Sequence, residues 1–171
     1  MTGIKNIFAG AAAAVMVSGT AIAQAAAQAT TALTADEMEL VLTEAGLNPT
    51  ITKDASTGAP VASGKLGQIT FWVRALDCSG EPAACATLVF FANFDLGRQI
   101  THTDYRIINN FNDKQVFGRA YIIESQAQVG VDYVIELDGG VSRDHVTQNV
   151  ARWADVVAAF LDNFRSSGAA S

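Results

Sequence analysis

The chain has 171 residues, half of them apolar, with 11 Lys and Arg against 17 Asp and Glu. A net charge of −6 repels phosphate backbones, and the scattered basic residues form no run that could attract nucleic acid or an anionic membrane surface. The length suits one domain with a substantial core.

The N-terminal stretch MTGIKNIFAGAAAAVMVSGTAIAQA starts with a lone basic residue, Lys5, and runs uncharged over residues 7–17. It ends in small residues around Ala21-Ile22-Ala23. That is the layout of a secretory signal peptide. Its Ala- and Gly-rich run is too weakly apolar for a membrane span, which needs roughly 20 strongly apolar residues. Residues 1–23 are therefore expected to be removed, with Ala23 before the cut and Ala25 as the alternative. Residues 24–32 are read as a flexible leader, 33–166 as a single domain and 167–171 as a tail. The mature protein is expected in the periplasm or secreted, without membrane insertion.

The first ordered element is a helix opened by Thr34, with Glu37 three residues on as the second half of a capping box. Met38, Val41, Leu42 and Ala45 follow at helical spacing, and Gly46 stops the helix. TITKDA and PVASGKL, separated by Ser56-Thr57-Gly58, read as a hairpin. Residues 68–76 alternate, with Ile69, Phe71, Val73 and Ala75 on one face and Gln68, Thr70, Trp72 and Arg74 on the other. ATLVFFANF alternates likewise and puts Leu88, Phe90, Ala92 and Phe94 together.

Over residues 100–112 the period becomes helical, with Thr101 or Thr103 as cap and Tyr105, Ile108 and Phe111 on one side. VFGRAYII and VGVDYVIEL return to strand, and Val129, Val131, Tyr133, Ile135 and Leu137 share a face. After the Asp138-Gly139-Gly140 turn, Ser142 and Asp144 open the longest helix. Its stripe of Val146, Val150, Trp153, Val157, Phe160 and Phe164 is continuous, and Gly168 ends it. The order is helix, three or four strands, helix, two strands, helix. Short connections make the strands antiparallel, and the helices must cover a face, so the expected fold is an α+β two-layer domain.

Cys78 and Cys85 are the only cysteines. Outside the cytosol, with Gly80 and Pro82 between them, they are expected to form a disulfide that closes the connection of an antiparallel pair and helps fix its register. Their spacing is wider than that of a redox-active pair. His102 and His145, far along the chain and unpaired, do not complete a zinc set. Neither sits with a serine elbow, and Gly139-Gly140 lacks the spacing of a phosphate loop. Asp95, Asp104 and Asp113 do not match a calcium-binding loop. No metal or cofactor is expected.

Asp132 and Glu136 share a strand face, and Arg119 on the neighbouring strand is expected to pair across with them. A small hydrolase using Asp132, Glu136 or His145 is the alternative functional class. Asn109, Asn110 and Asn112 crowd the end of the second helix, where their amides can cap carbonyls, tie the following strand or form a recognition patch.

The stretch NNFNDKQVFGRAYI, with Asn109, Phe111, Asn112, Phe117, Arg119, Ala120 and Tyr121, resembles the signature of the YbjN family. There an Asn-x-aromatic-Asn helix end runs into an Arg-Phe-x-Arg-Ala-Tyr strand. Val116 stands in the place of the leading Arg. The early helix, the Gly58-x-Pro60 turn, the cysteines before a Leu-x-Phe strand and Gly139-Gly140-Val141 agree with it, and the likeness covers residues 33–164. It implies a fold similar to type III secretion chaperones, ordered α-β-β-β(-β)-α-β-β-α, and membership among sensory-transduction regulators whose pattern carries no catalytic residue. The signal segment points to an exported branch.

The expected function is therefore a non-enzymatic, chaperone-like or regulatory binding module. Trp72, Val89, Phe91 and Tyr121 lie on second strand faces that one helix layer leaves open, and such apolar patches mark partner surfaces. These four, with Asn109, Asn112 and Arg119, are the candidate partner-binding residues. The partner is a protein or peptide, and a homodimer is the other use of the same patch.

Overall fold

The computed structural model describes residues 29–168. The expected signal peptide, 1–23, lies outside that range, as does most of the leader. Thr34 ends a two-residue strand, β1 (Leu33–Thr34), and caps α1 (Ala35–Glu44). The Glu37 N–H donates to the Thr34 hydroxyl at 3.3 Å, and the Thr34 N–H donates to the Glu37 carboxylate at 2.8 Å. The capping box is thus closed as the sequence implies. Beyond the helix, Gly46 has φ of 83°, a left-handed turn that an L side chain would strain.

β2 (Thr50–Lys53) and β3 (Pro60–Leu66) join through a turn organised by the Asp54 carboxylate, which accepts from the N–H and hydroxyl of both Ser56 and Thr57. β4 (Ile69–Ser79) and β5 (Ala84–Asp95) form the central hairpin. Then come α2 (His102–Lys114), β6 (Arg119–Ile123), a 3-10 turn (Glu124–Gln126), β7 (Gln128–Glu136) and α3 (Arg143–Gly168).

The strands lie side by side in the order β2-β3-β4-β5-β7-β6, every pair antiparallel. β1 pairs with β5 at Cys85 and Ala84, beyond the end of β7, so it extends the sheet where β7 leaves it. The four-strand form of the expected order is the one adopted, and β1 is an addition too short to produce a periodic signal.

Strand alternation decides what the helices cover. Phe71, Val73 and Ala75 of β4, Leu88, Phe90 and Ala92 of β5, and Val129, Val131, Tyr133 and Ile135 of β7 are buried beside Val146, Val150, Trp153, Val157 and Phe160 of α3. Aromatic contacts lock the layers: Phe90 to Trp153 with ring centroids 5.9 Å apart, and Phe94 and Phe111 on Phe160 at 5.3 and 5.6 Å. Burying side chains of this size contributes roughly 2–3 kcal/mol each, so this seam holds the two layers together.

Two expectations are corrected. The apolar side of α2 is Ile107, Ile108 and Phe111, while Tyr105 is 46% exposed. The cause is Asp104, a fully buried carboxylate gripped by both Arg98 guanidinium nitrogens at 2.7 Å and by the Thr101 N–H and hydroxyl. Drawing Asp104 inward turns the buried stripe by one residue. At the N-terminal side, Thr30 lies within the expected leader yet exchanges two backbone hydrogen bonds with Val141, at 2.7 and 3.0 Å. Backbone pairing therefore extends upstream of β1, into residue 30.

Candidate functional site: the open face of the sheet

Every side chain that alternates away from the helices points to the other face of the sheet. Register lines them up in rows. Trp72 pairs with Phe91, Phe91 with Asp132, and Asp132 with Arg119, which makes one row across four strands. Val61, Arg74, Val89 and Val134 form the next. Asn93, Gly130 and Tyr121 form a third.

These rows hold their side chains in fixed places. Trp72 stacks on Phe91, centroids 5.7 Å apart and planes 20° from parallel. The Arg74 guanidinium sits 5.1 Å from the centre of the other arene in that stack, Phe91, a cation–π contact. Arg119 grips the Asp132 carboxylate with two nitrogens, at 3.3 and 2.5 Å, and lies over Tyr121. The Tyr121 ring crosses Gly130, where an added Cβ would come within 2.4 Å of it, and its hydroxyl donates to Asn93 Oδ1 at 2.6 Å. Only a glycine fits beneath that ring. Burial, and next the Asp132 charge, push the Tyr121 phenol up to about 12.

Two shallow depressions break this face. One, of about 390 Å³, is lined by Lys53, Val61, Trp72, Arg74, Phe91 and Asn93 among others. The second, of about 450 Å³, lies between β6 and β7 beside Phe117, Arg119, Asp132 and Val134. Val116, Phe117 and Val134 are exposed by 86, 46 and 49%, which makes its rim apolar.

Five of the sequence-derived candidates, Trp72, Val89, Phe91, Tyr121 and Arg119, thus share one surface. The two asparagines do not. Asn109 faces solvent on α2, and Asn112 is turned to the backbone of Ala120, donating at 3.0 Å and accepting at 2.8 Å. Asn110 donates to Asn163 of α3 at 2.9 Å. Arg74 and Asn93 join the surface by the alternation that places Trp72 and Phe91 there, and Val134 through its register with Val89. Phe117, ahead of β6, packs under Arg152 of α3, 4.3 Å from its ring centre.

The three groups of the hydrolase alternative are not brought together. Asp132 is held by Arg119, and Glu136 accepts from the Thr87 hydroxyl at 2.8 Å, four residues or roughly 13 Å along β7. His145 is exposed in the first turn of α3, its N–H donating to the Ser142 hydroxyl cap, in the helix layer. Among the described residues no three His, Cys, Asp or Glu are grouped to hold a metal ion. Cys78 and Cys85 face each other in the β4–β5 ladder with sulfurs at disulfide distance, 2.18 Å.

Comparison with known proteins agrees with this architecture. The YbjN family model, described as "Putative bacterial sensory transduction regulator", matches residues 34–166. Among solved structures, that of YbjN from E. coli, described as "a putative transcription regulator", aligns with a TM-score of 0.51 at 10% identity, covering 77% of this chain and 91% of that one. At that identity the likeness concerns the fold. No curated protein matches the sequence. With the family pattern running through 133 consecutive residues, from the Thr34 cap into the last turns of α3, the chain belongs to the YbjN family.

Proposed function

We propose that the protein is a non-catalytic, chaperone-like regulatory module that works outside the cytosol by docking a protein partner on the open face of its sheet. One observation carries this reading: an aromatic stack and an apolar rim stand on a face that no element among the described residues covers, held in place by the Arg119–Asp132 ion pair and the Tyr121–Asn93 hydrogen bond. Exposed apolar surface costs solubility, and a rigid patch is preorganised for binding. The regulatory side of the reading is supported by the family description. An acidic chain is ill suited to contact DNA directly, so a regulatory effect would pass through a protein. Export is supported by the signal-like segment 1–23 and by the cysteine pair.

The test is site-specific photo-crosslinking in intact cells. A photoreactive residue replacing Val89 on the open face should capture one defined protein. The same group replacing Asp155 on the solvent side of α3 should not. Equal capture at both positions, or capture only of a second copy of the chain, would remove the reading in favour of non-specific contact or self-association. N-terminal sequencing of the periplasmic fraction should find Gln24 first.

A further inference from the structure

The open-face depression between β2 and β5 has a chemical bias that the acidic chain as a whole lacks. Among the described residues the ion pairs are Arg98–Asp104, Arg119–Asp132 and Arg143–Glu44, so Arg74 is not neutralised by a carboxylate. Lys53 lines the same depression. Its one acidic lining residue, Asp54, is engaged in its own turn by four hydrogen bonds of 2.6 to 3.1 Å. Asp132 on this face is paired with Arg119, and Asp77 and Glu136 flank the Thr87 hydroxyl, whose single proton serves one of them. Asn93 accepts the Tyr121 hydroxyl at Oδ1 and offers its amide N–H groups as further donors. The lining therefore supplies donors and positive charge around a flat aromatic wall.

We propose that this depression recognises a carboxylate on a short acidic peptide segment that also carries an aromatic or aliphatic side chain. The inference rests on the docking reading and adds the chemistry of the partner. Arg74, already stacked on Phe91, keeps its guanidinium edge free for a two-point contact with a carboxylate. Trp72, stacked on the same ring, receives the apolar side chain. A polyanion fits poorly, because the surrounding chain carries a net charge of −6 and repels extended negative charge, whereas one or two carboxylates meet the local cations.

The test titrates full-length mature protein with the capped peptide acetyl-Asp-Phe-Glu-Leu-amide, its twin acetyl-Asn-Phe-Gln-Leu-amide, and oligothymidylate. The readout is the indole N–H resonance of Trp72, with buried Trp153 as internal reference. The acidic peptide should shift Trp72 saturably and leave Trp153 in place. Affinity should fall at least about tenfold for the amide twin and for Arg74→Gln, which corresponds to losing one charge-assisted contact. Arg74→Lys should recover part of it. Equal binding of both peptides would overturn the carboxylate assignment while the crosslinking outcome still decided the docking reading. Tighter binding of oligothymidylate, or no shift of Trp72, would also overturn it.

Discussion

Asn112 and Ala120 hold one another through two hydrogen bonds, the side-chain amide accepting from the Ala120 N–H at 2.8 Å and donating to its carbonyl at 3.0 Å. The amide acts as a further peptide group on the outer edge of β6 and ties the end of α2 to the strand that follows it. That gives the Asn-x-aromatic-Asn run a structural use: Phe111 enters the core while Asn112 reaches the edge. Asn112→Ala should lower stability by about 2 kcal/mol, because it leaves both backbone groups without their partner. Urea unfolding measures the loss. Amide exchange at Ala120 should quicken selectively.

Much of the fold was legible because its signals are local. Thr34 and Glu37 close a cap within one turn, and β4, β5 and β7 alternate over enough residues to declare both faces. The α2 stripe was misread because Arg98, which draws Asp104 inward, lies in a loop with no periodicity. Half of the open face was legible for the same reason as the core: the residues that alternate away from Phe71 and Phe90 include Trp72 and Phe91. Arg74 and Asn93 stand on the same alternating faces as Trp72 and Phe91, but which strands bring these faces side by side, Val89 beside Val134 for one, is set by pairing that leaves no trace in a single sequence. β1 spans two residues, too few for alternation to show, and Thr30 is joined to Val141 by backbone hydrogen bonds, which specify no side chain.

Cys78 lies opposite Cys85 next to the β4–β5 turn, so the pair closes a small loop and pins register where β1 adds to β5. Cys78→Ser should cost about 2 kcal/mol by releasing the unfolded chain, with the circular dichroism spectrum retained. Mass spectrometry of protein purified without reductant, before and after thiol alkylation, checks the premise: two alkylated cysteines would remove it.

Asp104 is the buried charge of the fold, and Arg98 beside it, with help from the Thr101 N–H and hydroxyl, holds its carboxyl well below the ordinary 3.8. A carboxylate whose native value is depressed contributes stability that is complete above its unfolded value and is lost as pH falls through the native one. Stability should therefore decline below about pH 4. Asp54, held low by Ser56 and Thr57 in an exposed turn, titrates in the same window. The difference between wild type and Asp104→Asn isolates the buried group. Asp104→Asn should cost about 2 kcal/mol near neutrality by weakening its charge-assisted bonds, and should flatten the acid limb. An unchanged acid limb would mean that the pair does not govern it.

Tyr121 gives the opposite limb. Burial raises its phenol from 10.0 to about 12, with the Asp132 charge adding to the effect and Arg119 and Arg74 opposing it. The folded state thus favours the neutral phenol. Its contribution is complete below the unfolded value of 10.0 and is lost as pH rises through about 12. Tyr121→Phe should remove that slope and cost about 1 kcal/mol at neutral pH through the lost bond to Asn93, readable as a shift in urea midpoint across the alkaline range. The same phenol reports on the depression beside it. A peptide carboxylate neutralising Arg74 would cancel one of the two charges that hold the phenol down, so tyrosinate absorbance of the complex should appear at higher pH than that of the free protein. Arg74→Gln should raise the titration without any peptide. A peptide-bound protein titrating where the free one does would place the ligand away from Arg74.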